Sequence, residues 1–188
     1  MIPIYLRNTP ETHSGLLETY DHYEIIEHLS KWINPINYLE IGVRHGTVYN
    51  LVKNYCEKCY LVDINFLDLD YTLNTIKFEM TSDEFFQVVN PNVKFDMVFI
   101  DGDHSKEQVL KDFINVSEMV IEDGFVLLHD TYPCDENMEL PNHSHNAWEA
   151  ALHIKQNFKD QWEILTLPFN PGLTIMKKIN HKKQLIWK

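Results

Sequence analysis

Carboxylate and imidazole side chains meet in two short motifs in the second half of the chain. Asp-Gly-Asp-His at residues 101–104 follows the apolar segment 95–100, and His-Asp-Thr at residues 129–131 follows the apolar segment 125–128. Two carboxylates held close together repel each other and favour a proton or a hard cation between them. A neutral imidazole accepts a proton near neutral pH. These residue types therefore indicate proton abstraction, metal binding, or both.

Each of these roles has named candidates. Asp101 and Asp130 each follow a predicted buried strand, so both carboxylates should project into one crevice at the carboxyl ends of the strands. With His129 they form a candidate site for a divalent metal, magnesium or manganese, and the imidazole shifts the preference away from magnesium. The alternative is that Asp130 only positions substrate or backbone. His104 is the candidate general base, and the alternative is that it caps the following helix.

A glycine-containing turn in the first half of the chain is typical of a nucleotide-type site. Residues 40–46 read Glu-Ile-Gly-Val-Arg-His-Gly, with Gly42 at the predicted end of a strand and Gly46 at the start of a helix. Glycine lets the backbone turn sharply and approach a ligand closely. Asp63 ends the next predicted strand, where a carboxylate can accept the hydroxyls of a ribose. The alternative is a loop aspartate that caps a helix.

The elements that must position these residues follow from apolar segments that alternate with helical patterns. This alternation predicts an α/β fold with a Rossmann-like, seven-stranded, mostly parallel sheet, helices on both faces and an antiparallel last strand. We expect a single domain over residues 1–188, with a helical segment at 1–34 and the core at 35–180. The segment between Asp63 and residue 76 is too short for a full crossover helix. The predicted strands are 37–41, 60–63, 76–80, 95–100, 125–128, 162–167 and 173–178.

Composition restricts the class of protein. The chain has 188 residues, 44% of them hydrophobic and 23% charged, which is typical of a globular domain. No apolar run is long enough to span a membrane and no secretion signal is evident, so we expect a cytoplasmic protein. The formal net charge of −12 disfavours binding to nucleic acid. The pair Cys56 and Cys59 has the spacing of a metal or redox site, but its position favours an incidental placement.

Taken in order, these motifs resemble the small-molecule O-methyltransferases of class I. The resemblance covers residues 37 to 178, and it is greatest to the subgroup with Asp-Gly-Asp-His after one strand and His-Asp-Thr after the next. It implies S-adenosylmethionine as the cofactor. Position 44 is arginine where many methyltransferases have glycine, so the side chain of Arg44 must point away from the cofactor.

The resemblance also implies roles for individual residues. Glu40 and Gly42 would face the methionine part of the cofactor, Asp63 its ribose, and Asp101 the transferring methyl group. Thr81 and Ser82, after the third strand, resemble the segment that borders the adenine. In the resembling enzymes a histidine at position 104 is the base, and aspartates at positions 101 and 130 bind a divalent ion in the metal-dependent members.

The sequence therefore predicts an S-adenosylmethionine-dependent methyltransferase that acts on a hydroxyl of a small molecule, such as a sugar or a polyhydroxylated compound. It predicts neither a membrane nor a nucleic-acid partner, and it leaves a homo-oligomer open. Two alternatives remain at this point. One is a metal-dependent hydrolase that uses the cluster of Asp101, His104, His129 and Asp130. The other is a non-catalytic Rossmann-like binding domain.

Overall fold

The apolar segments of the sequence form the strands of one twisted sheet. The computed structural model describes residues 22–67, 70–169 and 171–181. Within these residues the helices are α1 (His22–Ile33), α2 (Thr47–Val52), α3 (Ser82–Val88), α4 (Lys106–Ser117) and α5 (Ala147–Asn157). The strands are β1 (Asn37–Ile41), β2 (Lys58–Asp63), β3 (Thr75–Glu79), β4 (Phe95–Ile100), β5 (Val120–His129), β6 (Trp162–Leu167) and β7 (Leu173–Lys178).

The order of the strands places a ligand-binding crevice between two of them. The seven strands lie in the order β3-β2-β1-β4-β5-β7-β6. Strands β1 to β5 pair in parallel, whereas β7 pairs antiparallel with both β5 and β6. The predicted fold class is confirmed, including the antiparallel last strand. The direction of winding changes between β1 and β4, and ligands of such sheets bind outside the carboxyl ends of the strands at that point.

Both faces of the sheet are buried, which explains why its central strands are almost continuously apolar. Successive side chains on a strand point to opposite faces. Leu39 and Ile41 of β1 therefore belong to one buried cluster, which helices α3, α4 and α5 cover. Tyr38 belongs to the other cluster, which helices α1 and α2 cover. Core packing on both faces thus fixes the carboxyl ends of the parallel strands relative to one another at one edge of the sheet.

Strand β5 is longer than the sequence predicts. The sequence analysis placed the start of this strand at residue 125, but β5 begins at Val120. Its register against β4 shifts, and Asp123 has a φ of 66°. Strand β4 advances by two residues, from 95 to 97, where β5 advances by five, from 120 to 125, so the irregularity absorbs three extra residues without ending the strand. The ladder then continues from Phe125, which pairs with Met97.

Two helical regions can be compared with the sequence prediction. The helical segment was expected at residues 1–34; α1 covers 22–33, and residues 1–21 lie outside the described part of the chain. Between β2 and β3 the described residues contain no helix, in line with the short connection. Of the helices that the structure describes, none has both the length and the apolar character needed to cross a membrane.

Candidate active site

The carboxyl ends of the first five strands open onto one cleft of about 920 Å³. Nine of the ten predicted site residues line it, although they come from separate strands and loops. Only Gly46 is not part of its wall. The nine residues are Glu40, Gly42, Asp63, Thr81, Ser82, Asp101, His104, His129 and Asp130.

Gly42 lies where the end of β1 touches the end of β4. Its φ is 84°, and a Cβ atom at this position would overlap the backbone carbonyl of Asp101. The backbone amide of Gly42 donates to the carbonyl of Val62 at 2.9 Å, and that of Asp101 donates to Ile41 at 2.8 Å. Glycine is therefore required here by the neighbouring strand as well as by any ligand.

The turn after Gly42 has left-handed backbone at two further positions. Gly46 has a φ of 66° immediately before α2, and its amide donates to the carbonyl of Val43 at 2.7 Å. Arg44 has a φ of 46° and an exposed side chain at the rim of the cleft. Left-handed backbone favours glycine. This conformation accounts for the glycine that many methyltransferases carry where this chain has arginine.

Asp63 holds the same turn from the end of β2. One carboxylate oxygen accepts hydrogen bonds from the amides of Val43 and Arg44, at 2.7 and 2.8 Å. The other oxygen accepts from the amide of Asn65 at 3.0 Å. A carboxylate offers about four acceptor sites, so about one remains for a ligand. Binding of a ribose by Asp63 stays a prediction, to which the structure adds a role in shaping the turn.

Glu40 is a buried carboxyl group in the wall of the cleft, only 1% exposed. Burial raises the pKa of Glu40 well above its usual range, although the hydroxyl of Tyr38, which donates to it at 2.7 Å, acts in the opposite direction. A buried carboxyl without a cationic partner takes up a proton. A cationic ligand group placed beside Glu40 would favour its charged form.

Thr81 and Ser82 begin α3, a helix that the sequence analysis missed. The side chain of Thr81 accepts from the amide of Glu84, and the carboxylate of Glu84 accepts from the amide of Thr81. This is a capping box, and Thr-x-x-Glu in the sequence was the signal for it. The amide group of Gln108 donates to Ser82 at 3.1 Å, which joins α3 to α4 at the wall of the cleft.

The four acidic and imidazole residues of the two later motifs form one cluster. His129 Nδ1 lies 2.8 Å from Asp101 Oδ1 and 3.3 Å from Asp130 Oδ2. His104 Nδ1 lies 3.1 Å from Asp130 Oδ2, and His104 Nε2 lies 3.6 Å from Asp101 Oδ1. Parallel pairing of β4 and β5 places both motifs at the same edge of the sheet.

The hydrogen bonds of His104 determine which of its nitrogens can accept a proton. Nδ1 lies 2.6 Å from the backbone carbonyl of His143. A carbonyl oxygen only accepts, so Nδ1 is the donor and carries the proton. In the neutral ring Nε2 then has the free lone pair. Nε2 is therefore the nitrogen of His104 that can act as a base.

His129 carries a positive charge at neutral pH. Burial disfavours the charged ring, but the carboxylates of Asp101 and Asp130 outweigh this effect and raise the pKa of His129 to about 10. Burial likewise opposes ionisation of Asp130, yet its contacts with His129 hold the pKa of Asp130 below its ordinary value. The imidazolium of His129 thus partly neutralises the two carboxylates.

Comparison with protein families identifies the chain. Residues 39–131, which run from β1 to the loop after β5, match the family model described as "Methyltransferase domain". The chain contains a methyltransferase domain, built on the Rossmann-like fold of S-adenosylmethionine-dependent enzymes. The matched segment contains the glycine turn, Asp63 and both acidic motifs. A search of curated protein sequences gives no match.

Solved structures show the same fold for this methyltransferase. The O-methyltransferase from Bacillus cereus in complex with SAH is 11% identical, with a TM-score of 0.65 over 88% of this chain and 86% of that one. The N-methyltransferase NodS from Bradyrhizobium japonicum is 12% identical, with a TM-score of 0.61 over 89% and 99%. MycE from the mycinamycin biosynthetic pathway, in complex with Mg and SAH, is 15% identical, with a TM-score of 0.59 over 88% and 51%. The fold thus accommodates both oxygen and nitrogen acceptors.

The donor set of this methyltransferase fits a divalent ion. Asp101, His104 and Asp130 offer ligand atoms that all lie within 4.8 Å of one another. The sequence analysis placed His129 in the set of ligands, which stays a prediction; in the structure His129 Nδ1 contacts both carboxylates. Two oxygens and one imidazole nitrogen suit manganese or another transition metal better than magnesium.

The part of the site that sequence reasoning left unassigned is the polar loop after β5. Ser144 is fully buried, and its hydroxyl donates to Asp130 Oδ1 at 2.7 Å. Met138, Asn142 and His143 of the same loop line the cleft. A serine between two histidines in a polar segment gives no sequence signal of burial, because the burial depends on where the loop folds back.

Proposed function

We propose that this methyltransferase transfers the methyl group of S-adenosylmethionine to a hydroxyl of a small polyhydroxylated molecule, such as a sugar, with His104 as general base. The observation that carries the proposal is the 2.6 Å contact of His104 Nδ1 with the carbonyl of His143, which leaves Nε2 of the neutral ring as the accepting nitrogen, in the same cleft as the glycine turn. A hydroxyl needs its proton removed during methyl transfer, and an imidazole near neutral pH performs this step.

The cofactor would occupy the half of the cleft formed by β1, β2 and α3. Glu40 would face the ammonium group of the methionine part, because a buried carboxyl is stabilised in its charged form by a cation. The turn that Gly42 and Asp63 shape would border the sugar. Thr81 and Ser82 would border the adenine, at the exposed start of α3.

The chemical step follows from the position of the base. The acceptor hydroxyl gives its proton to His104 Nε2 while its oxygen forms a bond to the methyl carbon. Bound S-adenosylmethionine would supply the methyl group, and its sulfur would keep the electron pair of the carbon–sulfur bond. The resulting imidazolium would have its Nδ1 3.1 Å from Asp130, whose negative charge would stabilise it. Asp101, 3.6 Å from Nε2, would orient the acceptor.

A second version of the mechanism uses a divalent ion held by Asp101, His104 and Asp130. Such an ion would act as a Lewis acid and lower the pKa of the acceptor hydroxyl. His104 would then be a ligand and not the base. The grouping of the three ligand atoms supports this version, as does the magnesium bound in MycE.

Calorimetry tests the proposal and separates it from its competitors. We expect one molecule of S-adenosylhomocysteine to bind per chain without added metal. Manganese should be titrated into the protein with and without S-adenosylhomocysteine, and into His104→Gln. Metal binding without any heat from S-adenosylhomocysteine would favour the hydrolase alternative. Absence of binding heat from both manganese and S-adenosylhomocysteine would favour a non-catalytic domain.

Transfer of a radiolabelled methyl group identifies the acceptor class. Labelled S-adenosylmethionine is incubated with sugars, other polyols, catechols and primary amines, before and after treatment with EDTA. We expect labelling of a hydroxyl compound, and a decrease in kcat by about 10²–10⁴-fold in His104→Gln. Labelling of amines alone would contradict O-methylation. Activity that EDTA abolishes and manganese restores would select the metal version.

The partners follow from the same features. We propose that the acceptor is a small molecule and not a nucleic acid, because the chain carries a net charge of −12. We also propose that the chain acts as one domain, since both buried clusters pack on the same sheet. A homo-oligomer stays a prediction, and light scattering coupled to gel filtration tests it.

A further inference from the structure

The loop at residues 141–146 contacts the catalytic cluster at two adjacent residues. Ser144 is fully buried and donates from its hydroxyl to Asp130 Oδ1 at 2.7 Å. The carbonyl of the preceding residue, His143, accepts from His104 Nδ1 at 2.6 Å. One short segment therefore touches both the candidate base and the carboxylate beside it.

The contact with Ser144 determines how Asp130 faces His104. Rotation about the last side-chain bond of an aspartate is broad and roughly two-fold, so packing must select one orientation. Ser144 holds Oδ1, which leaves Oδ2 at 3.1 Å from His104 Nδ1. Asp130 also has a φ of 58°, a conformation that non-glycine residues adopt only when their surroundings impose it.

We propose that Ser144 is a positioning residue that fixes the proton of His104 on Nδ1 and so leaves Nε2 as the base. It acts through the carboxylate of Asp130, which lies 3.1 Å from Nδ1, and through the backbone carbonyl of His143, which accepts from Nδ1. The inference rests on the proposed function, because it assumes that His104 removes the acceptor proton. It adds that the loop at residues 141–146 completes the orientation of His104. His104 is therefore fully oriented as a base only when this loop is in place.

Nitrogen NMR of the imidazole rings tests this inference without an acceptor. Long-range proton–nitrogen spectra of the metal-free chain, recorded at about pH 8, where a free imidazole is neutral, resolve the ten histidines. The signals missing in His104→Gln belong to His104. We expect a protonated Nδ1 and an unprotonated Nε2 in the unaltered protein. In Ser144→Ala both signals should move towards each other, with the minor tautomer increased several-fold.

Two variants separate this effect from a general loosening of the site. Ser144→Thr keeps the hydroxyl and should keep the signals of the unaltered protein. Thr174→Val removes another fully buried hydroxyl, which donates to Thr131 at 2.9 Å and makes no contact with Asp130. It should leave the His104 signals unchanged. Unaltered signals in folded Ser144→Ala, or an equal shift in Thr174→Val, would overturn the proposal. If Ser144→Ala does not fold, loss of the Nδ1-protonated tautomer of His104 in folded Ser144→Thr would overturn the proposal.

Two readouts, one that does not depend on activity and one that does, keep this inference distinct from the proposed function. Ser144→Ala should bind S-adenosylhomocysteine with an affinity within about twofold of the unaltered protein, because the contact lies outside the cofactor half. With an identified acceptor, kcat should fall by up to about 10²-fold, which is what misplacing a catalytic group costs, and Ser144→Thr should restore it. Failure of the unaltered protein to bind S-adenosylhomocysteine would refute the proposed function, while the NMR comparison would still decide the role of Ser144.

Discussion

At the scale of single residues, Gly42 is the position that tolerates least change. A side chain there must adopt a left-handed φ and also overlap the carbonyl of Asp101. We predict that Gly42→Ala lowers the free energy of unfolding by about 3 kcal/mol or more, the sum of conformational strain and overpacking. Gly46→Ala, whose φ is 66°, should lose only about 1 kcal/mol, from the strain alone. Urea denaturation measures both, and equal losses would contradict the contact with Asp101.

The buried carboxyl of Glu40 links stability to pH. Its pKa lies well above the usual range because of burial, so the folded state keeps a proton that the unfolded chain releases. The free energy of unfolding must then decrease as the pH rises above the ordinary pKa of a glutamate. We predict that Glu40→Gln removes this decrease: the variant should match the unaltered protein in acid and exceed it at alkaline pH.

The same substitution should act in the opposite direction on the cofactor. Glu40→Gln loses the negative charge proposed to face the ammonium group, so we expect affinity for S-adenosylhomocysteine to fall by at least tenfold. Thermal unfolding at several pH values and calorimetry measure the two effects. A variant that is less stable at every pH, with unchanged affinity, would show that Glu40 is only a structural group.

At the scale of elements, Asp112 joins α4 to α3 beneath the cleft. Burial raises the pKa of Asp112 to about 6, and the hydrogen bonds from Ser82 and Gln108 offset this only in part. The folded state therefore holds a proton between about pH 4 and pH 6 that the unfolded chain releases, so stability falls as the pH rises through this range. We predict that Asp112→Asn is more stable than the unaltered protein at pH 8, by about 1–3 kcal/mol.

Asp83 provides the matched control for this prediction. Its exposed carboxylate pairs with Lys111 on α4 and accepts from Gln108, and these contacts lower the pKa of Asp83. Asp83→Asn should therefore bring no gain in stability at alkaline pH. Thermal unfolding at pH 4 and pH 8 measures both variants. An equal gain in the two would refute the assignment to burial of Asp112.

The elements themselves were predictable wherever burial leaves a pattern in the sequence. Strand β4 is apolar because helices cover both of its faces, and it was predicted at its observed limits. The bulge at Asp123 was not predictable, because an Asp-Gly pair is equally typical of a turn. Helix α3 was missed although Thr81 and Glu84 form a capping box, since its seven residues are too few to establish a helical period.

At the scale of the whole molecule, cofactor binding should stabilise the complete fold, because the cleft wall is formed by five strands. A ligand that binds only the folded state adds about 2.7 kcal/mol at a concentration 100 times its Kd. We predict an increase in the melting temperature with S-adenosylhomocysteine. His104→Gln should show the same increase, since His104 lies in the acceptor half, whereas Glu40→Gln should show much less. An increase that His104→Gln abolishes would contradict this division of the cleft.

The meeting of distant residues in one cleft was predictable, but their pairing was not. Parallel strands end at the same edge, so the convergence of Glu40, Asp63 and Asp101 follows from topology alone. Which imidazole contacts which carboxylate depends on side-chain packing, so the grouping of His104 with Asp101 and Asp130 could not be derived from the sequence. The burial of Ser144 depends on how the loop at residues 132–146 folds, and these residues carry no periodic signal in the sequence.

The polarity of the parallel sheet has a practical consequence for using the enzyme on a solid support. All the groups with proposed chemical roles lie at the carboxyl ends of the strands, and no lysine is among the described residues that line the cleft. Exposed Lys58 and Lys94 lie at the opposite ends, at the first residue of β2 and just before β4. Coupling to amine-reactive beads through Lys58 or Lys94 would therefore leave the cleft accessible to reactants, whereas coupling through Lys106, at the start of α4, would attach the bead beside the cleft.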